Sequence, residues 1–127
     1  MGKKVLLVED TVEYKDKLTE DLKEGGYDVL TAENGVEGLE VVKKEGQVID
    51  LIISDLHMPE LNGLDMAKKI FEDNMTKAPI MILTTDASKE MKKKGKAAGI
   101  KTWILKPIKK ETFLGTVNLL VEKFSSN

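Results

Sequence analysis

Cysteine is absent from the chain, which rules out a disulfide framework and any thiolate metal site. With a single histidine, His57, a structural zinc site is excluded in practice as well. No apolar run approaches the ~18 residues that a membrane-spanning helix needs. The apolar stretch in "MGKKVLLVED" is too short for the core of a signal peptide. These absences fit a reducing compartment, and the expectation is a cytoplasmic protein without membrane contact. A strong excess of one charge is missing too. The 20 basic and 22 acidic side chains leave a net −2, which does not suggest direct nucleic-acid binding. Repeats, low-complexity tracts and interdomain linkers are lacking, so the 127 residues read as one domain with a core of its own.

What charge there is has been sorted along the chain. Residues 1–50 carry 13 acidic and 7 basic side chains (−6), whereas residues 86–127 carry 4 acidic and 10 basic (+6). The basic end is concentrated in "KEMKKKGK" and "KPIKK". Such a run is either a solvated helix face or a docking surface for an acidic partner.

Four short runs are almost wholly apolar: "VLLV" (5–8), "LII" (51–53), "IMIL" (80–83) and "WIL" (103–105). A fifth, "YDVLTA" (27–32), is weaker but rich in strand formers. Continuous apolar character predicts strands buried on both faces, as in a parallel sheet. The stretches between them have helical spacing. Tyr14, Leu18 and Leu22 form one stripe, stopped by "GG" at 25–26, and Val36, Leu39 and Val42 form a second, ending near Gly46. Leu64, Ala67, Ile70 and Phe71 give a third, and Phe113, Val117, Leu120, Val121 and Phe124 the last. Residues 87–98 are mostly lysine around Ala87, Met91 and Ala98, which predicts the most loosely held helix. It is retained because parallel strands need a crossover there. The result is (βα) repeated five times, an open α/β sheet with helices on both faces, and "SSN" at 125–127 is expected to fray.

Polar residues stand at the C-terminal ends of the buried runs: Glu9 and Asp10, Asp55, Thr84 and Lys106. In open α/β sheets that edge is where ligands bind. Each residue also has a plain structural alternative. Asp10 and Asp86 could cap helices, Thr84 could end a strand, and Lys106 could snorkel to water. Taken together they demand a cation, because like charges ~4 Å apart repel by ~4 kcal/mol at an effective dielectric of 20. Lys106 supplies one positive charge, and a hard divalent ion with oxygen ligands, Mg²⁺ or Mn²⁺, suits the remainder.

The motifs "VLLVED", "LIISDLHMPELNG", "IMILTT" and "WILKPI", in this order, resemble the receiver domains of two-component response regulators, the single-domain chemotaxis-regulator type in particular. The resemblance covers residues 3–124 and implies a flavodoxin-like, doubly wound five-stranded sheet of order 2-1-3-4-5. It implies that Asp55 is a phosphoacceptor, charged by a sensor histidine kinase or histidine phosphotransfer protein, in a signalling domain and not an enzyme. Asp10, Glu9, Asp55 and the backbone carbonyl of His57 would hold Mg²⁺, while Thr84 and Lys106 would contact the phosphoryl group. Pro107 would follow a cis peptide bond. His57, Thr85 and Asp86 would tune phosphate lifetime, and Thr84 with Trp103 would carry the switch to a face at 87–124, where a downstream protein docks.

Three features depart from the common family pattern. Glu9 precedes Asp10 where many relatives have two aspartates, Thr85 stands where a very small residue is usual, and Trp103 replaces a Tyr or Phe. Two other classes compete. Phosphatases with an aspartate nucleophile typically place a second aspartate two residues on, where this chain has His57, and a flavodoxin-type binder would need a glycine-rich loop where "EDTVEY" stands.

Overall fold

The computed structural model describes residues 2–86 and 88–124, so the expected fraying of 125–127 and the place of Ala87 lie outside the described residues. Five strands and five helices alternate: β1 (Lys4–Val8), α1 (Val12–Glu24), β2 (Asp28–Ala32), α2 (Gly35–Glu45), β3 (Leu51–Asp55), α3 (Gly63–Glu72), β4 (Ile80–Thr84), α4 (Lys89–Ala97), β5 (Ile100–Leu105) and α5 (Lys110–Lys123). All strand pairs are parallel and the order is β2-β1-β3-β4-β5. Val8 pairs with Ser54, Asp55 with Leu83, and Thr84 with Leu105, so these strands end together along one rim.

The continuous apolar runs divide between two cores. Leu6, Val8, Ile52 and Ile82 pack with Val42, Met66, Ile70 and Ala98 on one face of the sheet. Val5, Leu7, Ile53 and Leu83 pack with Leu18, Leu22, Phe113 and Val117 on the other. Alternation sends neighbours to opposite faces, and both faces are covered, which is why the runs show no polar interruption. Among the described residues no helix is long and apolar enough to cross a membrane.

Several details differ from the sequence pattern. Phe71, placed in the α3 stripe, is 58% exposed, and Val36 and Phe124 are exposed as well. The inward face of α3 is Gly63, Met66, Ala67 and Ile70, and one further residue carries Phe71 past it. Helix α2 is buried through Gly35, Gly38 and Val42, and a Cβ on Gly38 would lie 2.7 Å from the Met66 sulfur. Close approach of α2 and α3 therefore depends on a glycine that carries no hydrophobic signal. β5 starts at Ile100, earlier than the apolar run, because α4 ends at Ala97 and Gly99 turns the chain at φ +83°. Within α4 only Gly95 is buried. Ser88 caps that helix, its Oγ accepting from the Met91 amide at 3.2 Å, and neither Asp10 nor Asp86 is a cap residue.

Candidate functional site

The rim gathers side chains from four strand ends. Glu9 follows β1 and is buried to 1% exposure, its amide tied to the Ala32 carbonyl at 3.0 Å. Asp55 ends β3 at 7% exposure, Asp10 is exposed, and carboxylate oxygens of all three acids lie within 4.8 Å of one another. Lys106 follows β5, its amide held by the Thr84 carbonyl at 2.9 Å, and its Nζ stands 2.7 Å from Asp55 Oδ1. Thr84 is buried, and its Oγ1 accepts from the Asp86 amide at 2.9 Å. The Lys106–Pro107 peptide is cis.

The carboxylate of Asp55 is positioned by its own backbone. Ser54 Oγ donates to the Asp55 carbonyl at 2.8 Å, and the first residue of α3, Gly63, presses against the same oxygen. The intervening loop is pinned at both ends: the Leu56 amide donates to Leu83 O at 3.0 Å and the Gly63 amide to Leu56 O at 2.9 Å. Asn62 caps α3 through Oδ1, which accepts from the Asp65 amide at 2.8 Å. Glu60 takes φ +71° at the tip of this loop. His57, Thr85 and Asp86 are exposed beside the rim, and Asp86 Oδ1 accepts from the Ser88 amide at 3.2 Å. Trp103 lies apart from the acids, half-buried under α4. A Cβ on Gly95 would come within 2.2 Å of its Cζ2.

The three acids and the amine set one another's charge. Burial and the neighbouring Asp55 carboxylate push Glu9 up to about 7, against the pull of Lys106 and the Thr11 amide, which donates to its Oε1 at 3.3 Å. Glu9 Oε2 is buried with no hydrogen-bond partner among the described residues. Burial acts to lower the Lys106 pKa, but the hydrogen bond and charge of Asp55, aided by Glu9 and Tyr14, raise it on balance. One ammonium beside three carboxylates leaves negative charge that a hard cation would neutralise, and the buried Glu9 Oε2 is a donor atom such a cation could take. The all-oxygen donor set fits Mg²⁺.

The response regulator receiver domain family matches residues 5–118, nearly the whole described chain. The chain belongs to this family. The Pseudomonas aeruginosa protein PilH is 34% identical over 93% of this chain and 97% of its own length. The Helicobacter pylori J99 chemotaxis protein CheY1 is 37% identical over 89% of this chain and 98% of its own. The structure of Vibrio cholerae CheY4 superposes with a TM-score of 0.87 at 36% identity, covering 94% of this chain and 99% of that one. The protein is thus a CheY-like receiver domain, a signalling module with the flavodoxin-like order 2-1-3-4-5. Receiver domains accept phosphoryl groups from histidine kinases or phosphotransfer proteins and act on downstream targets. They bind Mg²⁺ at an acidic pocket, for which Glu9, Asp10 and Asp55 are the candidates here.

Sequence patterning missed two contributors to this receiver site. Ser54 lies just past the apolar run at 51–53 and carried no signal of its own. Tyr14 read as core, yet its ring lies 4.7 Å below Lys106 Nζ, across 92 positions of sequence. Its one available signal is position: Tyr14 stands one turn beyond Asp10, so its side chain leans back toward the strand ends.

The Glu9 environment makes pH a sensitive variable. Its folded pKa of about 7 lies above the ordinary 4.5, so the folded state holds the extra proton between those values. Stability of the metal-free domain should therefore fall as pH rises from about 4.5 to 7, by on the order of 2–3 kcal/mol. Affinity for Mg²⁺, which needs the ionised acid, should rise over the same interval. Melting curves from pH 5 to 8, with EDTA or with Mg²⁺, measure both: the two sets should converge at pH 5 and separate by pH 8.

Proposed function

We propose that Asp55 is the phosphoacceptor of this receiver domain and that the charge placed on it switches the face at 87–124. The observation that carries this reading is the juxtaposition of Asp55 with the Lys106 amine at 2.7 Å and with Glu9 and Asp10 within 4.8 Å. A carboxylate so placed is a nucleophile held at an open rim, where a phosphohistidine side chain can reach it. In the transfer, an Asp55 oxygen bonds to phosphorus, the phosphorus–nitrogen bond of the donor breaks, and the imidazole leaves with the electron pair. Lys106 balances charge on the phosphoryl oxygens, and the Thr84 hydroxyl, which accepts from the Asp86 amide, donates its own proton to the phosphoryl group. Glu9, Asp10 and Asp55, with the His57 carbonyl, would hold Mg²⁺ or Mn²⁺, which supplies further charge neutralisation. His57, Thr85 and Asp86 flank the approach to Asp55, which supports a role in setting phosphate lifetime. The donor is a sensor histidine kinase or histidine phosphotransfer protein, met in the cytoplasm.

Incubation with acetyl phosphate and Mg²⁺ tests the reading. One phosphoryl group per chain is expected, none with EDTA, and no sustained turnover of a generic phosphate ester. Continuous ester hydrolysis would favour a phosphatase instead.

Phosphorylation adds a charge of about −1.5 to −2 at Asp55. Thr84 links that site to the start of α4, and Trp103 packs beneath α4 at Gly95, so a shift at Thr84 is carried to the indole and to the lysines of α4. Lys92, Lys93 and Lys94 are exposed and form the basic part of a surface for an acidic downstream partner. Because Trp103 is the sole tryptophan, its fluorescence reports the switch. Mg²⁺ with beryllofluoride should change emission intensity or maximum; an unaltered spectrum at saturation would remove Trp103 from the mechanism.

A further inference from the structure

Lys106 has a long, flexible stem, and such a side chain loses about 2 kcal/mol of rotamer entropy when held in one place. Something must therefore favour the inward position over hydration at the open rim. Asp55 draws the ammonium from one side, with Nζ to Oδ1 at 2.7 Å. On another side the Nζ lies 4.7 Å from the centroid of the Tyr14 ring, within range of an attractive cation–π contact. Tyr14 is itself fixed. It sits in the first turn of α1, half-buried against the core that contains Val5, Leu7, Leu83 and Phe113. The ring is thus a rigid shelf joined to β1 through the same short segment that carries Glu9 and Asp10.

We propose that Tyr14 is a positioning residue for phosphotransfer, its ring face holding the Lys106 ammonium over Asp55 and away from bulk water. The inference rests on the assignment of Asp55 as phosphoacceptor. It also accounts for an aromatic at a helix position that the core alone would fill with any apolar residue. Tyr14 touches no reacting atom. Its effect passes through Lys106, so the ring face matters and the hydroxyl does not.

The test compares wild type with Tyr14→Phe, Tyr14→Leu and Tyr14→Met. Phosphorylation by acetyl phosphate at saturating Mg²⁺ should be unchanged in Tyr14→Phe and about fivefold slower in the other two, the scale of one partly desolvated cation–π contact. A second readout separates positioning from packing: the Lys106 ε-methylene protons should be shifted upfield by the ring in wild type and Tyr14→Phe, and not in Tyr14→Leu or Tyr14→Met. Including methionine guards against a leucine variant that fails to fold. Equal rates and equal Lys106 shifts in all four proteins would overturn the inference. A Phe variant as slow as the Leu variant would overturn it as well, by placing the effect in the hydroxyl. If wild type takes no label, the Asp55 assignment fails by itself, while the proton shifts still decide whether the ring holds the amine.

Discussion

Gly63→Ala is expected to lose about 2–4 kcal/mol of stability, because the added methyl has nowhere to go. A Cβ at this position would lie 2.3 Å from the Asp55 carbonyl oxygen and 3.0 Å from Ser54 Oγ. Neither neighbour is the loose end of a long side chain: one is backbone at a strand end, the other a fully buried hydroxyl already bonded to that carbonyl. The start of α3 would have to back away, breaking the Gly63 amide bond to Leu56 O and tilting Asp55 off the rim. For a domain of this size the melting temperature should drop by roughly 10 °C, with labelling of Asp55 falling in parallel. Gly115→Ala is the control. Gly115 is exposed within α5 with nothing among the described residues within 4 Å of an added Cβ, so alanine there should raise stability by about 0.5–1 kcal/mol. Thermal melts of the two variants should therefore move in opposite directions, and a Gly63→Ala melt equal to wild type would show that the close approach is not binding.

Lys106→Met should separate two properties that a merely structural lysine would move together. Removing the ammonium leaves Asp55 without its ion-pair partner among the described residues and takes from the buried Glu9 the positive charge that favours its ionised form. Metal-free stability should fall, since an unpaired buried charge is costly. Affinity for Mg²⁺ should rise, because a unit charge and a divalent ion a few ångströms apart repel by more than about 1 kcal/mol even at the dielectric of water. Phosphorylation should nonetheless slow by about 10²-fold, the usual consequence of deleting one preorganised charge stabiliser. Isothermal titration with Mg²⁺ and a time course with acetyl phosphate measure the pair. Weaker metal binding together with slower labelling would mean that the variant is simply misfolded at the rim.

The fold was legible because its signals are local. Each buried run is a few residues long, carries Val, Ile or Leu on both faces, and is followed by a polar residue where the strand leaves the core. Those endings gave Glu9, Asp10, Asp55, Thr84 and Lys106, and the parallel register places Asp55 and Thr84 at neighbouring strand ends. What stayed hidden is of two kinds. Glycine writes nothing into a hydrophobic pattern, so the burial of α2 through Gly35 and Gly38, the seat of Trp103 on Gly95, and the contact of Gly63 with Asp55 emerge only from close backbone approach. Contacts across long sequence separation are the second kind. Nothing near Tyr14 announces Lys106, and nothing near Phe71 announces that it covers Gly99, where a Cβ would meet its ring at 2.6 Å. In α4 the lysine content marked a helix with little buried surface: Met91 and Ala98 of the expected stripe do pack on the core, and Gly95, which carries no hydrophobic signal, is the one residue buried within the helix.

The central claim is that a phosphoryl group resides on Asp55, among acids from β1 and β3 and the amine from β5. Borohydride reduction after incubation with acetyl phosphate and Mg²⁺ converts an aspartyl phosphate to homoserine, and tandem mass spectrometry then reads its position. Homoserine at residue 55 in wild type and nowhere in Asp55→Asn is the predicted result. Homoserine at Asp10 or another acid, or an unmodified peptide despite bound Mg²⁺, would contradict it.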